Sequence, residues 1–178
     1  MAFKSATDCP DEVKAILAAL QISTDAIAAR SLVFYEEAAD LIIAETDDKG
    51  KEHLLIPGAA AAWRAMKTAA LEDGVLIKIV SAFRTIDRQA EIVRAKLEKG
   101  LSLESILCVS APPGYSEHHS GRAIDVTTDG VRPLEQEFEQ TDAFRWLSQH
   151  AARFGYLLSF PPNNRHGFAY EPWHWCYA

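Results

Sequence analysis

The chain has 178 residues, of which 48% are hydrophobic and 24% charged, with a formal net charge of −7. This length and composition are those of one ordinary globular domain with a sizeable core. The negative charge and the lack of any Lys/Arg-rich run exclude nucleic acid as the main partner, because phosphate binding needs clustered cations. No run approaches the roughly 20 apolar residues of a membrane span, so no membrane partner is expected.

Cysteine usage and the first residues bear on the compartment. Cys9, Cys108 and Cys176 are widely spaced and odd in number, which argues against a disulfide framework and a zinc ribbon. Residues 1–12 lack the apolar stretch of a secretory signal. The sequence therefore predicts a cytoplasmic protein with reduced thiols.

The first half of the chain predicts mainly helices. Pro10 precedes an apolar stripe that is typical of a first helix. Ser23 or Thr24 can cap a longer helix whose shared face would run as far as Leu41. A polar loop follows at 46–50, and an Ala-rich helix should begin at Pro57–Gly58 and end near Gly74.

The second half predicts alternating strands and helices. The expected strands are 75–80, 122–126, 156–160 and 173–177, and the expected helices are 86–97, 103–107 and 144–154. Residues 161–165 should form an exposed loop. No linker or repeat divides the chain. The predicted fold class is α+β, with a helical N-terminal half packed on a small, mainly antiparallel sheet, in one domain spanning 1–178.

Two fragments, 116–125 and 171–175, carry the strongest chemical signal. They contain His118, Asp125 and His174, and three protein ligands with one open position are typical of a catalytic zinc. Glu171 supplies the spare carboxylate that a catalytic zinc needs to activate water. We expect His118 on a loop that enters the strand of Asp125, with His174 on a neighbouring strand and Glu171 at the mouth of the site.

The remaining histidines carry no partner pattern. Neighbouring side chains on extended chain point in opposite directions, so only one of His118 and His119 can be a ligand, and His119 is the one set aside. His53, His150 and His166 are expected at the surface, with His166 at the border of the cleft. Cys176 is not expected to be a ligand, since two histidines and one aspartate complete the set.

These residues resemble a known family. Ser116-x-His118-x-x-Gly121-x-Ala123-x-Asp125 followed by Glu171-x-x-His174 is similar to the VanY-type zinc D-alanyl-D-alanine carboxypeptidases. The wider group includes VanX dipeptidases and peptidoglycan L,D-carboxypeptidases, and it shares its fold with the Hedgehog signalling domain. The block 81–85, with Gln89, is similar to the upstream Ser-Gly-Tyr-Arg-Ser…Gln block of that family, with Ala, Phe and Thr as replacements. The resemblance covers residues 54–178 as a catalytic core and leaves 1–53 as a helical extension.

The resemblance implies roles for the site residues. It implies one Zn²⁺ on His118, Asp125 and His174, with Glu171 as catalytic base. Arg84 is the candidate clamp for a carboxylate or oxyanion, because a planar guanidinium can hold a carboxylate by two bonds. The alternative for Arg84 is a surface pair with Asp87. The candidate substrate-binding residues are Ser116, Gln89, Ser81 and Trp173, and a core position is an equal alternative for Trp173.

The family implies removal of the C-terminal D-alanine from peptidoglycan-derived peptides. A cytoplasmic D,D-carboxypeptidase would destroy the pentapeptide precursors of the cell wall. The expected activity is therefore that of an L,D-carboxypeptidase on tetrapeptides in murein recycling. The alternatives are D,D-carboxypeptidase or dipeptidase action on pentapeptide or D-Ala-D-Ala, and murein endopeptidase action as a lysin or effector.

Two other classes of protein use similar residues. Mononuclear iron oxygenases also bind metal by two histidines and one carboxylate, but they belong to β-rich barrels, which the predicted helices disfavour. A metal-containing module that only binds a partner is the second class. Glu171 and Arg84 argue against a purely binding role, since such a module needs neither a base nor a clamp.

Overall fold

A computed structural model describes residues 9–178 of the chain. The helices and strands, in chain order, are α1 Asp11–Ala19, α2 Thr24–Ala29, β1 Ile42–Thr46, β2 Glu52–Leu55, α3 Pro57–Glu72, β3 Lys78–Ser81, α4 Ile86–Glu98, α5 Leu103–Val109, β4 Ala123–Thr127, α6 Asp142–His150, β5 Tyr156–Leu158 and β6 His174–Tyr177. Short 3-10 helices occupy Glu117–Ser120, Gln136–Gln140 and Ala151–Phe154. The protein is α+β, which confirms the predicted fold class.

A four-stranded antiparallel sheet forms the centre of the molecule. Its strand order is β3-β4-β6-β5, so β4 and β6 are the inner strands. The residues of β4 from Ala123 to Val126 are all buried, as expected for an inner strand covered on both faces. The sheet is therefore a rigid support for side chains carried by β4 and β6.

The main core lies between this sheet, α3 and α6. Pro57 starts α3 at a position where its missing N–H costs no helical hydrogen bond. Trp63 and Met66 on this helix are fully buried together with Ile124 of β4. Truncation of a side chain as large as Trp63 in such a core typically costs about 3–5 kcal/mol, so α3 is a principal support of the sheet.

The predicted long helix from residue 24 to residue 41 is wrong. Ser23 caps α2 by accepting a hydrogen bond from the backbone N–H of Asp25, as expected, but α2 ends at Ala29. Ser31 has φ +52°, a left-handed conformation that breaks a helix. Residues 32–39 have no regular structure, and Ala38 instead donates a backbone hydrogen bond to the carbonyl of His119.

A β-hairpin follows this irregular segment. Strands β1 and β2 pair antiparallel, and the predicted polar loop is the turn between them. Asp47 stabilises this turn because its carboxylate accepts hydrogen bonds from the backbone N–H groups of Lys49 and Lys51. The sequence conceals the hairpin because Ile42 and Ile43 directly follow the predicted helical stripe, whereas both are exposed on a strand.

The N-terminal segment packs against α4 and α5 through a second hydrophobic cluster. Leu17 of α1 and Ile27 of α2 are buried together with Val93 of α4 and Ile106 of α5. Tyr115, just before the first site fragment, belongs to the same cluster. Among residues 9–178, no helix is long and apolar enough to cross a bilayer.

Candidate metal centre and active site

The structure brings His118, Asp125 and His174 together from three elements. His118 lies on the 3-10 helix Glu117–Ser120, Asp125 on β4 and His174 at the start of β6. Asp125 and His174 are direct cross-strand partners, and such side chains lie on the same face of a sheet. The pairing of the two inner strands therefore positions two of the three candidate ligands.

The geometry fits a small divalent cation. His118 Nε2 lies 3.1 Å from Asp125 Oδ2, and His174 Nδ1 lies 2.9 Å from Asp125 Oδ1. One ligand atom from each residue lies within 4.8 Å of the other two, and all three residues are buried. Tetrahedral zinc, with bonds of about 2.0–2.1 Å, separates its ligand atoms by roughly 3.3–3.5 Å. Small adjustments of these side chains would therefore accommodate the ion.

The carboxylates around His174 favour a positive charge on its imidazole ring. Burial opposes a charged His174, but hydrogen bonds with Asp125 and Glu117 raise the pKa of His174 to about 10. Burial alone would raise the pKa of Asp125, yet His118 and His174 hold that pKa below its usual value. Two histidine nitrogens and one carboxylate oxygen are a zinc-type donor set.

Hydrogen bonds fix which nitrogen of each histidine faces the centre. His118 Nδ1 lies 2.7 Å from the carbonyl oxygen of Ala82, which leaves Nε2 toward Asp125. His174 Nε2 lies 2.9 Å from a carboxylate oxygen of Glu117, which leaves Nδ1 toward Asp125. Glu117 was not predicted from the sequence as a site residue, although it lies immediately before the candidate ligand His118.

Glu171 adjoins the three residues from one side. Its Oε2 lies 4.0 Å from His174 Nδ1, and its carbonyl accepts the backbone N–H of His174. Burial raises the pKa of Glu171 to about 7, and nearby His174 opposes the rise. In the part of the chain that the structure describes, the metal-ligating group does not include Glu171. A carboxylate is thus held beside the centre without belonging to it.

Arg84 adjoins the centre from the loop after β3. Its guanidinium donates to Gln89 Oε1 at 2.7 Å and to Ser81 Oγ at 2.9 Å, and it lies 3.7 Å from Asp125 Oδ2. Thr85 caps α4 directly after it. These are the side-chain contacts that the structure gives Arg84, and none is with Asp87. A partly buried cation therefore lies beside the centre, held by Ser81 and Gln89.

A cleft of about 410 Å³ opens over the centre. Its lining includes all of the predicted site residues except Ser81, together with residues that were not predicted: Glu117, Lys96, Leu134, Phe160 and Phe168. Lys96 lies two helical turns after Gln89 on α4, a spacing that could have found it, and donates to Ser110 Oγ at 2.7 Å. Trp173 lines the cleft and also packs against the main core, so both of its predicted positions apply.

Of the histidines outside the centre, His53 and His119 are buried, and His166 borders a cavity. His53 is buried beside Asp47, so its predicted surface position is wrong, because the unpredicted hairpin encloses it. His119 is fully buried: Nδ1 lies 2.6 Å from the carbonyl of Arg84, and Nε2 accepts the N–H of Gly114. It therefore connects two loops of the site. His166 borders a smaller cavity next to the cleft.

A two-histidine, one-aspartate centre, open toward a cleft with a free carboxylate and an arginine, is the arrangement of a mononuclear metallopeptidase. Residues 52–178 match the family model described as VanY, D-alanyl-D-alanine carboxypeptidase. The chain belongs to this family.

Individual relatives agree with that membership. A D-alanyl-D-alanine carboxypeptidase of Enterococcus faecalis is 34% identical over 120 residues, which are 62% of this chain and 43% of the relative. The chain spans about half the length of the curated relatives it matches in this way.

Solved structures share the fold. The LdcB LD-carboxypeptidase is similar at 28% identity and TM-score 0.70, covering 79% of this chain and 69% of that one. A vancomycin resistance D,D-pentapeptidase VanY variant in complex with Zn(II) is similar at 28% identity and TM-score 0.62, covering 84% and 87%. The metal of that relative agrees with the zinc-type donor set found here.

Proposed function

We propose that this protein is a zinc carboxypeptidase that removes the C-terminal D-alanine of peptidoglycan stem peptides. The observation that carries the proposal is the largely buried guanidinium of Arg84, which lies 3.7 Å from the ligand Asp125 in the cleft that opens over the three ligands. A fixed guanidinium next to the reacting centre suits a substrate that ends in a free carboxylate. Lys96 adds a second cation to the same wall of the cleft.

His118, Asp125 and His174 would hold the ion. When bound there, Zn²⁺ would polarise the scissile carbonyl and make water more acidic. Glu171 is proposed as the base that takes the proton of the attacking water and delivers it to the leaving amine. Its place beside His174, outside the ligand group, supports this role.

Arg84 is proposed to bind the terminal carboxylate or the oxygen that gains charge during attack. Gln89 and Ser81 contribute by orienting its guanidinium, since their oxygens accept from different nitrogens of Arg84. Ser116 and Trp173 line the cleft and are proposed to contact the substrate. Residues 9–53 are proposed to belong to the same domain, because the backbone N–H groups of Tyr35 and Ala38 donate to loops that carry the site.

For the bond that is cut, we propose L,D-carboxypeptidase activity on tetrapeptides, a trimming step of murein recycling. The similarity to the LdcB LD-carboxypeptidase supports this preference. The second candidate is D,D-carboxypeptidase activity on pentapeptides, which the named activity of the Enterococcus faecalis relative supports.

Purified zinc-loaded protein incubated with tetrapeptide and pentapeptide, followed by mass spectrometry, tests both candidates. Release of D-alanine from tetrapeptide is expected, and release from pentapeptide alone would establish the D,D candidate instead. A tetrapeptide with an amidated C-terminus should be a poor substrate. Equal cleavage of the amide would contradict recognition of the terminal carboxylate and favour an endopeptidase.

Arg84→Lys isolates the clamp. It keeps the charge but removes the planar pair of donors, so KM for tetrapeptide should rise by roughly tenfold or more. Arg88→Lys is the matched control, because Arg88 is exposed on α4 and pairs with Glu91 outside the cleft. Equal KM values for the two variants would remove Arg84 from the substrate site.

A further inference from the structure

A largely buried carboxylate that the proposed reaction does not use lies behind the metal centre. The side chain of Glu117 is 19% exposed, and one of its oxygens, Oε2, contacts both His174 Nε2 at 2.9 Å and Ser159 Oγ at 2.6 Å. Its carboxylate lies at the Nε2 edge of the His174 ring, whereas Asp125 and Glu171 lie at the Nδ1 edge. The imidazole ring thus separates Glu117 from the point where the ligand atoms converge.

This placement matters for the chemistry of an imidazole. A neutral ring binds metal through one nitrogen and carries its proton on the other. A carboxylate at Nε2 accepts that proton's hydrogen bond and so leaves the Nδ1 lone pair for the metal. Carboxylates that accept from a metal-binding histidine fix the tautomer and ring orientation and increase the basicity of the ligand.

We propose that Glu117 is a positioning residue that holds His174 as an Nδ1 ligand and thereby sets the zinc affinity of the site. The inference rests on the metal centre of the proposed function, but not on the substrate or the bond that is cut. It assigns a role to the residue between Ser116 and His118 that the motif itself leaves open.

The surroundings of Glu117 are built to keep it in place. Ser159, the residue after β5, donates its hydroxyl to the same oxygen that contacts His174. Phe160 packs its ring 4.7 Å from the His174 ring, which limits ring rotation. The 3-10 helix Glu117–Ser120 also carries His118, so a single turn of chain supplies one ligand and the support of another.

Zinc affinity of Glu117 variants tests the proposal directly. The dissociation constant is measured by competition with a chromophoric chelator at fixed pH. Glu117→Ala should weaken zinc binding by roughly 10–100-fold. Glu117→Gln should weaken it less, because its amide oxygen can still accept from Nε2. Ser159→Ala, which removes one hydrogen bond to Glu117 and leaves the carboxylate in place, should have the smallest effect of the three.

A second buried carboxylate provides the matched control. Glu45 accepts from Trp63 Nε1 at 2.9 Å, pairs with Lys67 and lies outside the cleft. Glu45→Gln should lower the stability of the metal-free protein without changing zinc affinity. The visible spectrum of the Co²⁺-substituted protein should change in Glu117→Ala and stay unchanged in Glu45→Gln. Only the Glu117 variant removes a hydrogen bond to a proposed ligand, His174.

Two results would overturn the inference: zinc affinity of both Glu117 variants within about threefold of the wild type, or a loss no larger than that of Glu45→Gln. If Glu117→Ala fails to fold, the isosteric Glu117→Gln carries the comparison. Because zinc affinity is read without any peptide, its outcome is independent of whether the protein releases D-alanine.

Discussion

At the scale of single residues, the site separates carboxylates by environment. Asp125 is enclosed by His118 and His174, Glu117 lies behind the His174 ring, and Glu171 faces the cleft. The same functional group can therefore act as ligand, support or base, depending on which nitrogen or open space it meets. The proposed base is the carboxylate that contacts a ligand only at 4.0 Å.

Replacement of that base should remove turnover and leave the metal in place. Glu171→Gln keeps the size of the side chain but cannot take a proton, so kcat should fall by about 10²–10⁴-fold. Zinc content, measured by elemental analysis, should remain one ion per chain. Glu98→Gln, an exposed position at the end of α4, is the control. Wild-type kcat in Glu171→Gln would refute the proposed mechanism.

The ligand set could be predicted at this scale because each ligand must be a particular residue type at a particular spacing. Few other residue types can bind zinc in place of His118, Asp125 and His174. These candidate ligands can therefore be recognised in the sequence. Glu117, next to His118, and Lys96, two turns after Gln89, carry only a positional signal, which is weak because many residue types can follow a serine or lie on a helix face. Their roles depend on distances that only the folded chain defines.

At the scale of elements, the turn after the 3-10 helix Glu117–Ser120 joins the catalytic side to the N-terminal segment. Gly121 has φ +65°, and a Cβ at this position would lie 2.9 Å from Leu41 Cδ2 and 3.1 Å from Ala38 Cβ. Its carbonyl also accepts the backbone N–H of Ile56. Glycine is needed here for both conformation and close approach.

Gly121→Ala should therefore destabilise the protein more than a change in conformation alone. Left-handed strain costs of order 1–3 kcal/mol, and overpacking adds typically about 1–3 kcal/mol. Gly130→Ala is the matched control, because Gly130 has φ +86° and an added methyl group there would have no atom within 4 Å. Urea denaturation compares the two free energies of unfolding. Equal values would show that the contacts with Leu41 and Ala38 relax freely.

The hairpin β1–β2 should make stability depend on pH through His53. Burial lowers the pKa of His53, with nearby Lys51 acting in the same direction and Asp47 opposing. Because the folded pKa lies below the usual value of 6.5, the unfolded chain binds the proton more readily. The contribution of neutral His53 to the free energy of unfolding is therefore fully present above about pH 6.5. It is lost as the pH falls below that value.

The difference between wild type and His53→Gln isolates this contribution. Free energies of unfolding are measured by urea at several pH values between 7.5 and 5, with chelator present in both series. The wild type should lose more stability than His53→Gln across this range. Parallel curves for the two proteins would show that His53 stays neutral or charged equally in both states.

The regular helices and the sheet were predictable because their apolar residues recur at the spacing of the element and their caps are explicit. Pro57 at the start of α3 and Thr85 at the start of α4 are examples. The segment after α2 was not predictable in this way. Phe34 is buried by tertiary packing against Tyr115 and not on a helix. In the sequence, its spacing from other apolar residues looks like that of a helix face.

At the scale of the whole molecule, the metal centre connects parts that have separate hydrophobic clusters. Its ligands lie on the central sheet and on the loop that follows Tyr115, which belongs to the N-terminal cluster. A ligand that binds only the folded state adds its binding energy to stability. Zinc should therefore stabilise the entire fold and not the cleft alone.

Removal of zinc should lower the melting temperature. At a free zinc concentration 100 times the dissociation constant, the folded state gains about 2.7 kcal/mol. For a chain of this size, that corresponds to a shift of roughly 5–10 °C. Thermal unfolding with and without chelator measures it. His174→Ala should show little or no shift, and a wild type that is equally insensitive would contradict a zinc site of appreciable affinity.

The pairing of Asp125 with His174 also has a consequence in time. The two residues are 49 positions apart along the chain, and α6 and β5 lie between them in sequence. Capture of the ion therefore follows closure of a long loop and the addition of β6 to the sheet. Interactions that form this late mainly slow unfolding and leave the folding rate almost unchanged. We therefore expect zinc bound at this centre to slow unfolding of the folded chain more than it speeds folding.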